Sequence, residues 1–316
     1  MSEQRELIVD TAERLFGDLV DKAVLDAAEA GEWPAALQDA LRDNGFLELG
    51  SAASGTGADE LFAFIEVAGR HAVPLPLADT LLANNWLGTV DGASGIGVLQ
   101  GDAILGVPWG RAVQRVVGIS PGSRDVMVVE QPSVIREGVN MAGEPRDDVQ
   151  ANGTTTSLDV DPYLWLALSR ASLMAGGLSS ALQQAIQYAT DREQFGRPIS
   201  KFQAIQHTLA VMAAEAAAAG RAAGGAVDAI DGERAVAEVA AAKSRAGEAV
   251  AVVAEAAHQV HGAIGFTHEH RLHHTTRRLW AWRDEFGNEL VWQRTLGEVV
   301  VGVGADEVWN FVTQGR

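Results

Sequence analysis

The 316-residue chain has no cysteine, no apolar run long enough to span a membrane, and few basic residues for its size. Without cysteine there is no disulfide, thiolate metal site, iron–sulfur cluster or cysteine nucleophile. Lys and Arg number 24 against 42 Asp and Glu, a formal net charge of −18. Nucleic acid is therefore not expected as a main partner, because phosphate binding needs a basic face. An anion can be held only where the few arginines are concentrated. No segment reaches the roughly 20 apolar residues of a spanning helix, so no membrane partner is expected either. The opening residues, Met1-Ser2-Glu3-Gln4-Arg5-Glu6, lack the basic start and apolar core of a secretory signal. These absences predict a soluble cytoplasmic protein. What is present is ordinary for a globular chain: 47% apolar and 21% charged residues. The length suits two or three packed substructures.

Along the chain, Leu7, Ala12, Leu15, Leu19, Ala23 and Val24 recur mostly at three- and four-residue steps, which predicts one helix over 4–30. Gly31 stops it, and Pro34 opens a second helix carrying Leu37 and Leu41 inward to Asn44-Gly45. Residues 51–59 read as a loop, with Asp59 as cap of a helix over 60–71. A further helical stretch ends near Gly88. After Val90 the pattern changes to short apolar runs, 96–99, 103–107, 116–119 and 126–129, separated by Gly, Pro, Ser and Asp. Such runs are strands and turns, and they form a small sheet or barrel. No strand–helix–strand alternation appears, which disfavours a Rossmann domain; Gly55-Thr56-Gly57 and Gly262-Ala263-Ile264-Gly265 lack the strand such fingerprints require. From Asp161-Pro162 onward the chain is predicted helical, over 161–190, 200–230, 233–261, 269–283 and 288–313. Alanine is dense in the second and third of these, and small side chains suit close antiparallel helices. The expected division is 1–92 helical, 93–160 a reduced β-region and 161–316 a helical bundle.

The most informative segment runs from Tyr188 through Asp191-Arg192-Glu193-Gln194-Phe195-Gly196-Arg197-Pro198-Ile199 to Ser200-Lys201-Phe202-Gln203-Ala204-Ile205-Gln206-His207. A helix ends at the arginine, Phe195-Gly196 turns, Pro198 forbids continuation, and Ser200 is the expected N-cap of the next helix. Two arginines and a lysine beside a helix N-terminus and an aromatic ring suit a phosphate or pyrophosphate. On local physics alone, an ordinary helix hairpin with solvated basic residues remains the alternative.

This run resembles the signature of the acyl-CoA dehydrogenase family, in the form Arg192-x-x-Phe195-Gly196-x-Pro198-Ile199-x-x-Phe202-Gln203-x-x-Gln206. A second match is Gln259-Val260-His261-Gly262-Ala263-Ile264-Gly265-Phe266-Thr267, followed by Glu269 and Arg277. The resemblance is strong over 161–287, fair over the N-terminal helices and poor over the β-region. It implies a mainly α fold with an N-terminal helical domain, a reduced β-domain and a C-terminal four-helix bundle. It also implies FAD at a subunit interface, an acyl-CoA substrate and α,β-dehydrogenation of its thioester. The cofactor-binding residues carried over are Arg192, Phe195, Phe202, Gln203, Gln206, Gln259, Gly262 and Ala263.

Two departures stand out. The family's catalytic glutamate precedes a Gly-Thr or Gly-Ser pair, and the matching position here is Phe286, in Arg283-Asp284-Glu285-Phe286-Gly287-Asn288. Some members carry the glutamate on the first C-terminal helix, and that position falls near Leu166. Neither residue is a carboxylate, so Glu285, one residue away, is the candidate base that remains. In the β-region the flavin-contacting strand motifs are missing, and Gly106-Val107-Pro108-Trp109-Gly110 is the nearest relic. Loss of these parts resembles the short subunits of heteromeric acyl-CoA dehydrogenases in actinobacterial steroid side-chain degradation. Expected partners are thus a homologous catalytic subunit in a heterotetramer, or further copies of this chain.

Six histidines fall between His258 and His274. His258 and His261 could share a helix face, but no third ligand accompanies them, so no metal is expected. Trp280, Trp282 and Trp292 read as core and interface packing.

Overall fold

The computed structural model describes residues 2–51, 54–90 and 92–313. Five helices come first: α1 (Glu3–Leu19), α2 (Lys22–Glu29), α3 (Ala35–Asp43), α4 (Ala58–Arg70) and α5 (Leu77–Leu87). The single helix expected over 4–30 is two. Asp21 sits in extended backbone, and its carboxylate accepts the Val24 N–H at 2.9 Å, so a new helix is capped inside an unbroken apolar pattern. The N-cap of α4 is Gly57 instead of Asp59, with Glu60 reaching back to accept the Gly57 N–H at 3.0 Å. The expected loop over 51–59 falls partly on residues 52 and 53, outside the described residues.

Seven strands follow: β1 (Ser94–Gln100), β2 (Ala103–Pro108), β3 (Arg115–Ile119), β4 (Asp125–Glu130), β5 (Val134–Arg136), β6 (Arg146–Gln150) and β7 (Thr154–Ser157). Their order is β5-β6-β2-β1-β3-β4-β7, antiparallel except for the β1–β3 pair. The four longer apolar runs are legible in the sequence; β5 offers only Val134 and Ile135 before Arg136, β6 and β7 are mostly polar, and all three are recruited by pairing. The sheet is buried on both faces at its centre. Val116 joins the sheet's own cluster with Ile104, Trp109 and Val149, while its neighbour Val117 joins the helical core with Ile96 and Ile119. Period-two alternation into two cores explains the continuous apolar reading of β3.

The remainder comprises α6 (Pro162–Asp191), a two-residue hairpin β8 (Glu193–Gln194) and β9 (Arg197–Pro198), α7 (Gln203–Ala229), α8 (Ala235–His261), α9 (Leu272–Asp284), α10 (Glu289–Val303) and α11 (Val308–Thr313). Helices α6, α7, α8 and α10 pack together, with fully buried alanines at Ala219, Ala226, Ala240, Ala246 and Ala249. The helix expected over 288–313 breaks at Gly304, whose φ is 86°. Helix α6 carries the first unit onto the bundle through two glycines. A Cβ at Gly69 would lie 2.2 Å from the Leu173 carbonyl oxygen, and one at Gly176 would lie 1.9 Å from that of Glu66. Only hydrogen fits where α4 and α6 meet. Among the described residues, no helix is long and apolar enough to cross a membrane.

Candidate functional site

The two sequence motifs meet in space. Arg192 ends α6, its N–H bonding the Tyr188 carbonyl at 2.9 Å, and its carbonyl accepts the Ile199 N–H at 2.8 Å across the hairpin. Phe195 and Gly196 form the two-residue turn, both with positive φ (52° and 78°), as a type I′ hairpin requires. A phenylalanine in that region is strained. Its ring is nevertheless 92% exposed and meets the Phe202 ring edge-on at a centroid distance of 6.2 Å. Ser200 is not the N-cap expected from sequence. A short 3-10 turn over Ile199–Lys201 intervenes, and α7 starts at Gln203 with no side-chain cap. Gln206 Nε2 donates to the Ser200 carbonyl at 3.0 Å and pins that turn.

Opposite, α8 ends where Gly262 takes a φ of 62°, and the chain continues as a 3-10 turn to Phe266. Between these walls lies a groove of about 590 Å³, lined among others by Arg192, Phe195, Phe202, Gln259, Gly262 and Ala263. A second hollow of about 400 Å³ shares Tyr188, Arg192 and Ile264 with it. Both lie in the size range of ligand sites. Six of the eight expected cofactor residues are thus brought together. Gln203 and Gln206 lie on the first turn of α7, outside the lining. The Arg192 guanidinium has no carboxylate partner among the described residues, in contrast to Arg70, Arg111, Arg170 and Arg278. His261 closes the groove floor, stacked on Tyr188 at 4.6 Å with Nδ1 donating to the Ala257 carbonyl. Burial lowers the pKa of His261 and of His258, whose Nε2 meets Thr276 Oγ1 at 3.0 Å.

The region around Glu285 is built differently. Phe286 and Gly287 repeat the turn geometry of Phe195 and Gly196, with φ of 53° and 90°. Here every face is engaged. The Arg170 guanidinium lies 4.7 Å over the Phe286 ring, Tyr163 meets its edge, and Trp292 Nε1 donates to the Phe286 carbonyl at 2.9 Å. Lys243, fully buried on α8, donates to the carbonyls of Arg283 (2.7 Å), Gly287 (2.6 Å) and Trp282 (3.3 Å). Burial pulls its ammonium down toward about 7, while Glu285 works against that fall. Three carbonyl acceptors need three donors, so this geometry suits the protonated form.

Glu285 itself accepts from Arg146 at 2.7 Å on Oε1 and from Arg170 at 2.7 Å on Oε2. Arg170 continues to Asp79 Oδ1 at 2.6 Å, and Asp79 Oδ2 accepts the Ile96 N–H at 3.0 Å. One chain of charge therefore ties α5, β1, β6, α6 and the end of α9. Burial alone would raise the Glu285 pKa, but the two guanidiniums outweigh it and hold the carboxyl at about 2. The residual void, among Asp79, Trp109, Arg146, Arg170 and Glu285, is about 30 Å³, room for a water or two. Leu166 is fully buried. Trp109, at the relic of the strand motif, is buried edge-on against Trp33 at 5.2 Å and borders this small void. Sequence reading missed Arg146, Arg170, Asp79 and Lys243. The available signal was a cation within an apolar helical run, Arg170 in Leu164–Met174 and Lys243 after Val239–Ala242.

The model of the acyl-CoA dehydrogenase C-terminal domain matches residues 165–298. Acyl-CoA dehydrogenase IpdE2 of Mycolicibacterium smegmatis is 27% identical over 293 residues, covering 86% of this chain and 91% of that protein. Among solved structures, a chain of the ChsE4-ChsE5 complex from Mycobacterium tuberculosis superposes with a TM-score of 0.86 at 18% identity, covering 96% of this chain and 99% of that one. A chain of a Tcur3481-Tcur3483 steroid ACAD variant gives a TM-score of 0.83 at 22% identity, covering 96% and 99%. At these identities the structural likeness is one of fold.

Proposed function

Because the chain belongs to the acyl-CoA dehydrogenase family and has its mainly α fold, we propose that it is one subunit of a hetero-oligomeric acyl-CoA dehydrogenase. In this reading its domains are 1–92, 93–160 and 161–316. It completes the FAD site of a catalytic partner and supplies no base of its own. The observation that carries this reading is Glu285, bound by two guanidiniums and held at about 2. A general base must reach a proton and be poised to keep it; this carboxylate has both oxygens occupied, and the residue at the family position is Phe286. The part that remains open is the groove at Arg192, Phe195, Gln259 and Gly262.

FAD, when bound, supplies the hydride acceptor of the reaction. Toward it, Arg192 offers an uncommitted guanidinium for pyrophosphate, and Gln259 offers amide donors and acceptors. Phe195 offers an exposed apolar surface at the tip of the hairpin. At Gly262 nothing lies within 4 Å of where a Cβ would be, so ligand can approach the backbone closely. These residues bind and orient; the proton is taken by a carboxylate of the partner. The substrate we infer is a steroid-derived acyl-CoA, since a neighbour in fold is described as a steroid ACAD and two are named as two-component assemblies. We place the reaction in the cytoplasm.

The test is Arg192→Ala in the chain co-purified with a catalytic family member. Leaving a buried pyrophosphate without its charged partner should weaken FAD binding by about 2–5 kcal/mol, read as lost flavin absorbance with the complex still assembled. Unchanged flavin content would sink the assignment.

A further inference from the structure

The start of α9 packs against α2 through groups that the dehydrogenase reading does not use. His273 and His274 lie side by side, ring centroids 4.0 Å apart, and are 9% and 0% exposed. His273 Nδ1 is 2.7 Å from the His270 carbonyl, and His274 Nδ1 is 2.7 Å from Glu29 Oε1. Carbonyl and carboxylate oxygens only accept, so both Nδ1 atoms carry the proton. In the neutral rings both Nε2 atoms therefore present a lone pair. Neither buried Nε2 has a hydrogen-bond partner among the described residues. Asp26 Oδ1 stands 3.1 Å from His274 Nε2 without hydrogen-bond alignment. The ligand atoms of Asp26, His273 and His274 all lie within 4.8 Å of one another.

We propose that Asp26, His273 and His274 form a binding site for a divalent ion of the zinc class, which fastens α2 to α9. Two imidazoles and one carboxylate are a zinc-type donor set, and a water completes the tetrahedron. With bonds of about 2.0–2.1 Å, tetrahedral ligands stand roughly 3.3 Å apart. The Asp26–His274 pair is already at that spacing, and a small inward shift of His273 supplies the third ligand. The Nδ1–H bonds to a carbonyl and a carboxylate are the outer contacts that fix tautomer and ring orientation at zinc sites. Asp26 is half exposed, which gives the ion a way in. Lys22 lowers the Asp26 pKa, and burial together with His274 lowers that of His273, so both are in the ligating form near neutral pH. The surrounding charges are Lys22, whose Nζ holds Asp26 Oδ2 at 2.5 Å, and Arg277 and Arg278, both paired with Glu29. Lys22 is thus a competitor for the carboxylate. The pair singled out by sequence spacing, His258 and His261, does not contribute.

The full-length protein, stripped with a chelator, is titrated with zinc by calorimetry and with cobalt(II) by visible absorption. The expected result is one ion per chain, the intense bands of tetrahedral cobalt, and a rise in Tm with zinc. His273→Ala and Asp26→Asn should lose uptake and bands while their metal-free melts stay close to wild type. Lys22→Ala, which leaves all three ligands in place, should bind zinc more tightly. The proposal is overturned if the wild type takes up no stoichiometric ion, or if His273→Ala binds zinc as well as the wild type. It is equally overturned if acidification alone raises Tm with no metal uptake, which would make His274 a buried imidazolium between Asp26 and Glu29.

Discussion

Phe195-Gly196 and Phe286-Gly287 are the same local device with opposite surroundings. Both place a phenylalanine near φ of 50° ahead of a glycine, a conformation that costs free energy in a bulky residue. Around Phe286 the chain supplies the compensation itself, through Arg170, Tyr163, Trp292 and Lys243. Around Phe195 it supplies almost nothing, and the ring stands in solvent. A strained turn locked from within is architecture; one left open is, in the proposed reading, completed by contacts from outside the chain. In the proposed reading, the sealed turn occupies the position of the family's base and the open one belongs to the cofactor site.

The comparison can be broken first at the sealed turn. Glu285→Ala leaves Arg146 and Arg170 buried with one countercharge fewer, and should cost about 3–5 kcal/mol, read from the denaturant midpoint. A change below 1 kcal/mol would mean the network is not what holds this region.

The same carboxylate sets a pH dependence. Its folded pKa, about 2, lies below the ordinary 4.5, so its contribution to stability is complete above about 4.5. That contribution is lost as pH falls through about 2, and is on the order of 3 kcal/mol. Urea midpoints between these pH values should fall in the wild type and fall less steeply in Glu285→Gln.

A finer contrast comes from the paired glycines. Gly287→Ala would place a Cβ 2.8 Å from Trp292 Nε1, while Gly196→Ala meets nothing within 4 Å. Both incur the positive-φ cost of about 1–2 kcal/mol, and thermal melts should show Gly287→Ala losing more. The smallest effect is expected at Phe195→Ala, within about 0.5 kcal/mol in the isolated chain, as for other exposed positions. If that substitution destabilises the free chain strongly, the hairpin is held by contacts within the chain and the contrast fails.

Sequence carried much of the open region and little of the sealed one, for a physical reason. Arg192, Phe195, Pro198 and Gly262 act through local turns, and their spacing survives as a pattern in the chain. The partners of Glu285 lie 139 and 115 residues away, at Arg146 and Arg170, and nothing in the spacing of a lone arginine names its carboxylate. The same limit hid β5–β7, since the apolar run of β5 is only two residues and β6 and β7 are mostly polar, so they become strands only by pairing with neighbours. Asp21 was legible as a cap in principle, yet the apolar repeat ran past it without a break. Ser200 had the right chemistry for a cap, but the 3-10 turn after Pro198 delayed the helix to Gln203.

The central claim is that this chain holds part of a flavin site and none of the proton chemistry. It is tested most directly by measuring bound FAD and acyl-CoA turnover, with an artificial electron acceptor, in the isolated chain and in its complex with a catalytic family member. The account predicts no retained FAD and no turnover in isolation, and both in the complex, with one FAD for each pair of unlike chains. An isolated chain that keeps one FAD per copy and turns over substrate, with turnover abolished in a folded Glu285→Gln variant, would contradict it.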